Sequence, residues 1–254
     1  MTAGNHTMST ANHIVSVTSG KGGVGKTFVS VNLAATLAKA HKKVLVVDCD
    51  LGLANIDIML GINPKHTLQD VVFGNLELKD IIFPTKYGFD LIPSSSGVRE
   101  MAQLLFEKIE LIKSMILSFT DYDLIILDTG AGIAEVVLQF NLLATRNIVI
   151  INRELTCLTD AYSMIKVMFQ VFGRNNFSVI VNSAADEKEA DSIHTHLHSI
   201  CEKFLGVRLN YLGFIGRDDL VPKSIVRQEL LVVAAPKCRI CQNFTMVADK
   251  ILAF

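Results

Sequence analysis

The chain has 254 residues, half of them hydrophobic, which is enough to bury the core of one α/β domain. Its 24 lysines and arginines nearly balance 25 aspartates and glutamates, so no overall positive field favours nucleic acid as a partner. Residues 1–12 lack the cationic start and apolar stretch of a secretory signal, and no apolar run approaches the roughly 18 residues that span a bilayer. We therefore expect a cytoplasmic protein with a flexible segment over residues 1–12 and a single domain over residues 13–254.

The first predicted element is a strand at residues 14–17, which leads through a glycine-rich turn into a helix that runs to about residue 41. The turn, residues 19–27, reads Ser-Gly-Lys-Gly-Gly-Val-Gly-Lys-Thr. Its glycines let the backbone curl with the N–H groups inward, and the helix adds its free first-turn amides and its positive dipole end. This is the pattern of a phosphate-binding loop, or P-loop, in which Lys26 reaches the β- and γ-phosphates and the Thr27 hydroxyl ligates Mg²⁺. The predicted nucleotide contacts are Lys21, Gly22, Gly23, Val24, Gly25, Lys26, Thr27 and Phe28.

Two further strands are predicted to end in aspartates. Residues 43–48 have the continuous hydrophobicity of a parallel strand that is covered on both faces, and Asp50 follows this strand closely. Residues 123–128 form the second strand, and the glycines of the Thr-Gly-Ala-Gly turn behind it allow a backbone amide to approach a γ-phosphate. Because ligands of doubly wound folds bind at the carboxyl edge of the sheet, we expect Asp48 and Asp128 in register near the P-loop. Asp128 is predicted to hold the magnesium shell through water.

The remaining pattern alternates strands and helices. A short helix is predicted over residues 67–74, a strand over 89–93 and a long amphipathic helix over 98–119. Alternating strands and helices with short links predict the α/β class, with a doubly wound, mostly parallel sheet and helices on both faces. The later elements are predicted as strands at 146–152, 177–182 and 211–215 and helices at 155–172, 186–205, 220–227 and 237–254.

Lys21, early in the loop, gives the chain a more specific resemblance. With this lysine, residues 19–27 resemble the deviant P-loop (deviant Walker A motif) of the MinD/ParA class of ATPases, which have the SIMIBI-type P-loop NTPase fold. Residues 29–34, 50–57, 128–133 and 158–166 are similar to the FlhG branch of that class, also called FleN or YlxH. The resemblance implies a magnesium-dependent ATP hydrolase that dimerises with ATP. It also implies that this switch controls the placement or number of a cellular structure, most often flagella.

The resemblance further implies roles for individual residues. Lys21 reaches the nucleotide of the opposite subunit, Asp50 positions the attacking water, and Asp48 lies near the metal. Asn182, at the end of a predicted strand, contacts the adenine edge in the family. From the residues alone, a turn-forming role for Asn182 is as well supported as a contact with adenine. The catalytic residues implied are Lys21, Lys26 and Asp50, and the metal site implied is Thr27, Asp48 and Asp128, with ATP and Mg²⁺ as cofactors.

The implied partners are a second copy of the chain and a partner GTPase or regulator, with recruitment to the cell pole or membrane surface. Three departures from the family bear on this. Phe28 replaces a small polar residue, which we expect to alter the packing of the first helical turn. The N-terminal segment lacks the Asp-Gln-Ala element with which FlhG proteins stimulate their GTPase. No basic amphipathic tail follows residues 251–254, so we expect either a shortened chain or no membrane binding by the chain alone.

The sequence leaves other functions open: a MinD-type division-site regulator, a ParA-like partition ATPase that binds DNA, and an iron–sulfur carrier ATPase. The five cysteines are an odd number and are expected to be free thiols, but Cys238 and Cys241 could hold a cluster across a dimer. His194 and His198 lie one helical turn apart, far from the acidic strand ends, and lack the glutamate of a zinc protease helix. We therefore expect these histidines to be structural.

Overall fold

The computed structural model describes residues 14–95 and 106–253, and these include one eight-stranded sheet. The strands are β1 (Ile14–Ser19), β2 (Val44–Cys49), β3 (Phe83–Pro84), β4 (Asp90–Ile92), β5 (Leu124–Ala131), β6 (Arg146–Ile151), β7 (Phe177–Ala184) and β8 (Leu209–Gly216). They follow the order β3-β4-β2-β5-β1-β6-β7-β8, and every adjacent pair is parallel except β3 with β4. The predicted mostly parallel sheet is thus confirmed.

Helices cover both faces of this sheet. The α-helices of the described residues are α1 (Lys26–Lys39), α2 (Ile56–Leu60), α3 (Leu68–Phe73), α4 (Phe106–Leu117), α5 (Glu135–Leu143), α6 (Leu155–Phe172), α7 (Glu187–Leu205), α8 (Leu220–Val226), α9 (Leu231–Ala234) and α10 (Arg239–Leu252). Successive residues of β2 alternate between two cores. Val46 belongs to the core that also contains residues of α1, α6, α7 and α10, and Val47 belongs to the core that contains residues of α3, α4 and α5. Residues buried on both faces explain why the strand sequences are continuously apolar.

The carboxyl ends of the central strands meet at one edge of the sheet. In the parallel pair of β2 and β5, Asp48 lies directly opposite Asp128, which confirms the expected register of the two acidic strand ends. Asp128 also lies opposite Val17 of β1, two residues before the P-loop begins. The sheet therefore brings the two acids and the loop to the same edge.

Several boundaries differ from the predicted ones. β5 continues to Ala131 and β7 to Ala184, beyond the polar residues at which we expected these strands to end, because their pairing with β1 and β8 continues. Helix α5 was not predicted, since its nine residues are too few to show a clear helical period and two of its three polar residues, Gln139 and Asn141, are buried two positions apart. The short elements α2 and β3 and a 3-10 helix at Leu78–Ile81 were also not predicted.

Two predictions fall outside the described residues: the flexible segment over 1–12 and the start of the helix predicted over 98–119. The described part of that helix, α4, buries Ile109, Ile112 and Ile116 at spacings of three and four, as expected of its apolar stripe. Within the two described ranges, no helix combines the length and the apolar character needed to cross a bilayer.

Candidate nucleotide site

The P-loop connects the end of β1 to the first turn of α1. The Ser19 hydroxyl donates to the Lys21 carbonyl oxygen at 2.7 Å and fixes the start of the turn. Gly23 and Gly25 have φ of 76° and 91°, the left-handed region that glycine adopts without strain. Gly25 precedes α1 directly and offers no side chain to cap it, so the first amides of the helix are free for an anionic ligand.

Gly20 and Gly22 provide a matched pair of substitutions in this loop. A Cβ added at Gly20 would lie 2.1 Å from the carbonyl carbon of Asp160 in α6, whereas one added at Gly22 would meet no atom within 4 Å. We expect Gly20→Ala to lower the free energy of unfolding by about 1–3 kcal/mol, because the helix backbone must move. Gly22→Ala should change it by no more than about 0.5 kcal/mol. Thermal unfolding of the two variants measures the difference, and equal midpoints would contradict the expectation.

Lys26 lies at the start of α1 and is buried among acidic groups. Its side chain is almost fully covered, and burial lowers the pKa of its ammonium group. The nearby carboxylates of Asp128 and Asp50 oppose that shift by favouring the charged lysine. Lys26 thus holds a positive charge at the acidic edge of the sheet, where a phosphate would sit.

Asp48 and Asp128 are buried side by side at the ends of β2 and β5. Burial raises the pKa of Asp128 to about 6, although hydrogen bonds from the Thr27 and Ser30 hydroxyls and the charge of Lys26 oppose the rise. Ser30 Oγ donates to Asp128 Oδ1 at 2.8 Å. Burial, and next the repulsion of Asp128, raise the pKa of Asp48 well above its usual range. Two buried acids in this state favour the arrival of a cation.

The titration of Asp128 gives the protein without metal or nucleotide a defined pH dependence. Its pKa is about 6 in the folded chain, against about 3.9 when unfolded. At any pH between these two values, the folded state binds more protons than the unfolded state. The free energy of unfolding therefore falls as the pH rises through this window, by up to about 1.4 kcal/mol per pH unit. In Asp128→Asn this fall should be smaller. Urea unfolding in the presence of a chelator at both ends of the window measures the two slopes, and identical slopes would contradict the assignment.

Asp50 is partly exposed at the rim of this acidic edge. Its backbone N–H donates to Asp48 Oδ1 at 3.2 Å, and its own Oδ1 accepts from the Leu53 N–H at 3.2 Å. A Cβ added at Gly130 would lie 3.6 Å from Asp50 Oδ1, so the carboxylate lies against the backbone near the end of β5. Asp50 is therefore positioned between the acidic strand ends and the open space in front of the loop.

Lys21 turns away from the loop and contacts the N-terminal end of α6. Its ammonium group forms an ion pair with Glu154 and donates to Thr156 Oγ1 at 2.9 Å. The hydrogen bond with Glu154 raises the pKa of Lys21, and the same bond lowers the pKa of Glu154. Neither Glu154 nor Thr156 was among the site residues predicted from the sequence. The available signal was their place just after β6, at the edge of the sheet where the P-loop lies.

Asn182 lies inside β7 rather than at its end, and its side chain supports the P-loop. Its Nδ2 donates to the Val24 carbonyl oxygen at 2.7 Å, and its Oδ1 accepts from the Ser183 N–H at 2.9 Å. Ser183 has a φ of 58°, so the backbone turns sharply at this point in the strand. A Cβ at Gly25 would lie 2.3 Å from Asn182 Nδ2, so any residue larger than glycine would clash with this side chain.

Among the described residues, a larger and a smaller cavity lie beside the P-loop. A cavity of about 850 Å³ is bounded by the loop, Asp50, α2 and the end of β5, and falls within the usual range for ligand pockets. A cavity of about 240 Å³ lies between the loop, Asn182 and the turn at residues 216–218. Gly23, Gly25 and Phe28 line both. The predicted contacts divide accordingly: Gly22, Lys26, Thr27 and Asp50 line the larger cavity, Val24 and Asn182 the smaller, and Lys21, Asp48 and Asp128 neither.

Phe28 joins the P-loop helix to the last helix of the chain. Its buried ring meets that of Phe244 in α10 edge-on, with the centroids 5.9 Å apart. One turn further along α1, Asn32 Nδ2 donates to the Phe28 carbonyl oxygen at 2.9 Å, and Asn32 Oδ1 accepts from the Val232 N–H at 3.2 Å. The first turns of α1 are thus held by the segment that contains α9 and α10.

The histidine and cysteine pairs have structural contacts in a single chain. His194 stacks on Tyr211 with the centroids 4.5 Å apart, and His198 Nδ1 accepts from the Leu209 N–H at 3.2 Å. Cys238 caps α10. Across residues 14–95 and 106–253, no three histidine, cysteine or acidic side chains converge as a direct metal-ligand set.

Comparison with known proteins agrees with this geometry. Residues 12–176 match the family described as AAA domain. The chain is 37% identical over 239 residues to the antiactivator FleN of Pseudomonas aeruginosa, and this alignment covers 94% of the chain and 85% of FleN. It is 30% identical over 245 residues to the flagellum site-determining protein YlxH of Helicobacter pylori, and this alignment covers 94% of the chain and 81% of YlxH.

The fold agrees with a solved structure of the same class. The septum site-determining protein MinD of Pyrococcus horikoshii, complexed with Mg-ADP, superposes with a TM-score of 0.78 and 26% identity, over 94% of this chain and 96% of MinD. The resemblance that residues 19–27 indicated is therefore confirmed over nearly the whole chain. The chain belongs to the AAA domain family and, within it, to the MinD/ParA class of P-loop ATPases, in the branch that contains FleN and YlxH.

Proposed function

We propose that this chain, as one ATPase domain over residues 13–254, is an ATP-dependent dimerisation switch that controls the number or placement of flagella. The observation that carries the proposal is the convergence of the P-loop with Lys26, Asp48, Asp50 and Asp128 at one edge of the sheet. Free helix amides and a buried lysine bind phosphate, and acids beside them bind its counter-cation. This combination supports a nucleoside triphosphate with Mg²⁺ as the ligand.

The residues at this edge fit a magnesium ion. Asp48 and Asp128 are buried acids whose pKa values are raised chiefly by burial, and the charge of Lys26 opposes the rise at Asp128. A divalent cation beside them would favour their charged forms in the same way. Thr27 would hold Mg²⁺ directly, and Asp48 and Asp128 would hold it through water, as Mg²⁺ usually keeps several water ligands. When bound, Mg²⁺ neutralises charge on the β- and γ-phosphates.

Lys26 and Asp50 would carry the parts of the reaction that lie within one subunit. Lys26 neutralises phosphate charge from a buried position, where its attraction is little screened by water. Asp50 lines the larger cavity and lies against Gly130, so its carboxylate can orient a water molecule for attack on the γ-phosphate. Ser30 holds Asp128 in place with its hydrogen bond at 2.8 Å.

Lys21 supports the dimerisation part of the proposal. In the single chain its charge is paired with Glu154, outside both cavities beside the P-loop. A lysine held at the surface in this way is available to a second subunit. On dimerisation, the Lys21 ammonium group would leave the Glu154 carboxylate and contact the phosphates of the opposite nucleotide instead.

The biological role follows from the relatives. FleN is named an antiactivator and YlxH a flagellum site-determining protein, so we assign flagellar number or position to this chain. A regulator protein or a GTPase is the partner that such a switch would act on, in the cytoplasm at the cell pole or membrane surface. Deleting the gene should change flagellar number or position, as counted by electron microscopy, and leave division septa normal. Displaced septa with normal flagella would favour a MinD-type role instead.

Mass in solution, measured by light scattering, tests the switch directly. With ADP the protein should have the mass of one chain, 27.9 kDa, and with ATP and Mg²⁺ it should have twice that mass. Adding a chelator of Mg²⁺ together with ATP should prevent the doubling. A mass that is the same in every nucleotide state would refute the dimerisation switch.

A further inference from the structure

Cys238 and Cys241 begin helix α10 in an arrangement that the nucleotide site does not use. Cys238 is the N-cap residue and is partly exposed, and Cys241 is the third helical residue and is 7% exposed. The Cys241 backbone N–H donates to Cys238 Sγ at 3.3 Å. This contact places the sulfur of Cys238 over the first turn of the helix, on the side where Cys241 begins.

The two sulfurs differ in their surroundings. Cys241 Sγ donates to the Ala235 carbonyl oxygen at 3.0 Å. Burial, and next a hydrogen bond with the Cys238 side chain, raise the pKa of the Cys241 thiol to about 12. Cys238 Sγ accepts a backbone hydrogen bond at the N-terminal end of a 14-residue helix and is the more exposed sulfur of the pair. Cys238 is therefore the sulfur that an incoming reagent meets first, and Cys241 is its buried, protonated neighbour.

We propose that Cys238 and Cys241 form a redox-active dithiol, which a small-molecule disulfide oxidises to an intramolecular disulfide. Cys238 attacks one sulfur of the reagent, so that a mixed disulfide forms and one reagent thiol leaves. Cys241 then loses its proton and attacks Cys238 Sγ, which releases the second reagent thiol. The two protein thiols give up two electrons and two protons, and the reagent disulfide takes them up as two thiols.

The surroundings of the pair suit an anionic reagent. Cys241 lines a cavity of about 340 Å³ that Lys39 and Lys86 also line, so two positive charges lie on the Cys241 side of the pair, while Cys238 is partly exposed. The other cysteines, Cys49, Cys157 and Cys201, are no more than 1% exposed. Selective oxidation at the 238–241 pair is the expected consequence, and glutathione disulfide is a suitable probe because it carries carboxylates.

Thiol counting in the 254-residue chain tests this proposal. The reduced protein is equilibrated with mixtures of reduced glutathione and glutathione disulfide, quenched with acid, unfolded and alkylated. We expect free thiols to fall from five to three, with a loss of two hydrogens from the peptide that contains both Cys238 and Cys241. All five thiols remaining free in glutathione disulfide, or oxidation of other cysteines first, would overturn the proposal.

Two variants test the order of the steps. Cys241→Ser removes the second attack, so a stable glutathione adduct should accumulate on Cys238. Cys238→Ser removes the nucleophile, and no adduct should form at Cys241. Circular dichroism checks the fold of each variant, with Cys241→Ala as the substitute if the serine at the buried position destabilises the protein. Iron and sulfide bound through both cysteines in anaerobically purified protein would overturn the proposal in favour of a cluster.

Discussion

Replacing Lys21 with alanine is expected to lower the rate of ATP hydrolysis by at least about a hundredfold, in the manner of a missing arginine finger. ATP should also no longer double the mass of the protein. Lys21 pairs with Glu154 and Thr156 in the single chain and lines neither cavity beside the loop, so we expect it to exchange these partners for the nucleotide of a second subunit. Phosphate release and light scattering measure the two effects.

Two controls separate this role from a structural one. ADP affinity, measured by calorimetry, should change little in Lys21→Ala, because Lys21 lies outside both cavities. Glu154→Gln removes the competing carboxylate while Lys21 remains, so this variant should dimerise at lower protein concentration than the wild type. If Lys21→Ala dimerised with ATP and hydrolysed it at the wild-type rate, the cross-subunit role would be wrong.

Replacing Asp50 with alanine is expected to lower hydrolysis by about 10²- to 10⁴-fold and to leave ATP-dependent dimerisation intact. The carboxylate lies against Gly130 at the rim of the larger cavity, where it can orient water but does not hold the loop in place. Because the ATP dimer persists when hydrolysis fails, this variant should keep its doubled mass far longer than the wild type. A light-scattering time course after addition of ATP gives the lifetime.

Asp57→Ala is the matched control for Asp50. Asp57 comes from the same segment after β2, but within the described part of the chain its carboxylate accepts from the neighbouring Ile58 N–H at 2.8 Å and lines neither cavity. This variant should hydrolyse ATP within a few-fold of the wild-type rate. Equal losses in Asp50→Ala and Asp57→Ala would show that the segment, rather than the Asp50 carboxylate, governs hydrolysis.

The nucleotide edge could be predicted because its signals are local. A P-loop needs closely spaced glycines and a lysine, and the strands before Asp48 and Asp128 are short apolar runs that any parallel sheet aligns at one edge. Helices α6 and α7 were predicted within one residue at each end, and α10 within two. Helix α5 was not, because its polar residues Glu135, Gln139 and Asn141 are spaced by four and by two, which does not distinguish helix from strand over nine residues.

The contacts between distant residues could not be predicted. Glu154 lies 133 residues from Lys21, and no pattern in one sequence connects them. The same applies to Asn182, which the sequence placed at a strand end but which supports Val24 from within β7. The contact of Ser30 with Asp128 could have been predicted, because a hydroxyl three residues after Thr27 lies on the same face of α1.

The edge-on contact between Phe28 and Phe244 limits how this loop could be moved to another protein. A designer who grafted residues 19–28 alone would transplant the glycines and the lysines without the ring that supports the first turn of α1. Phe28 would then face either solvent or a foreign core, and the helix that presents its amides to phosphate would lose a packing partner. The smallest transferable unit therefore joins two pieces from opposite ends of the chain, the loop with α1 and the segment with α10.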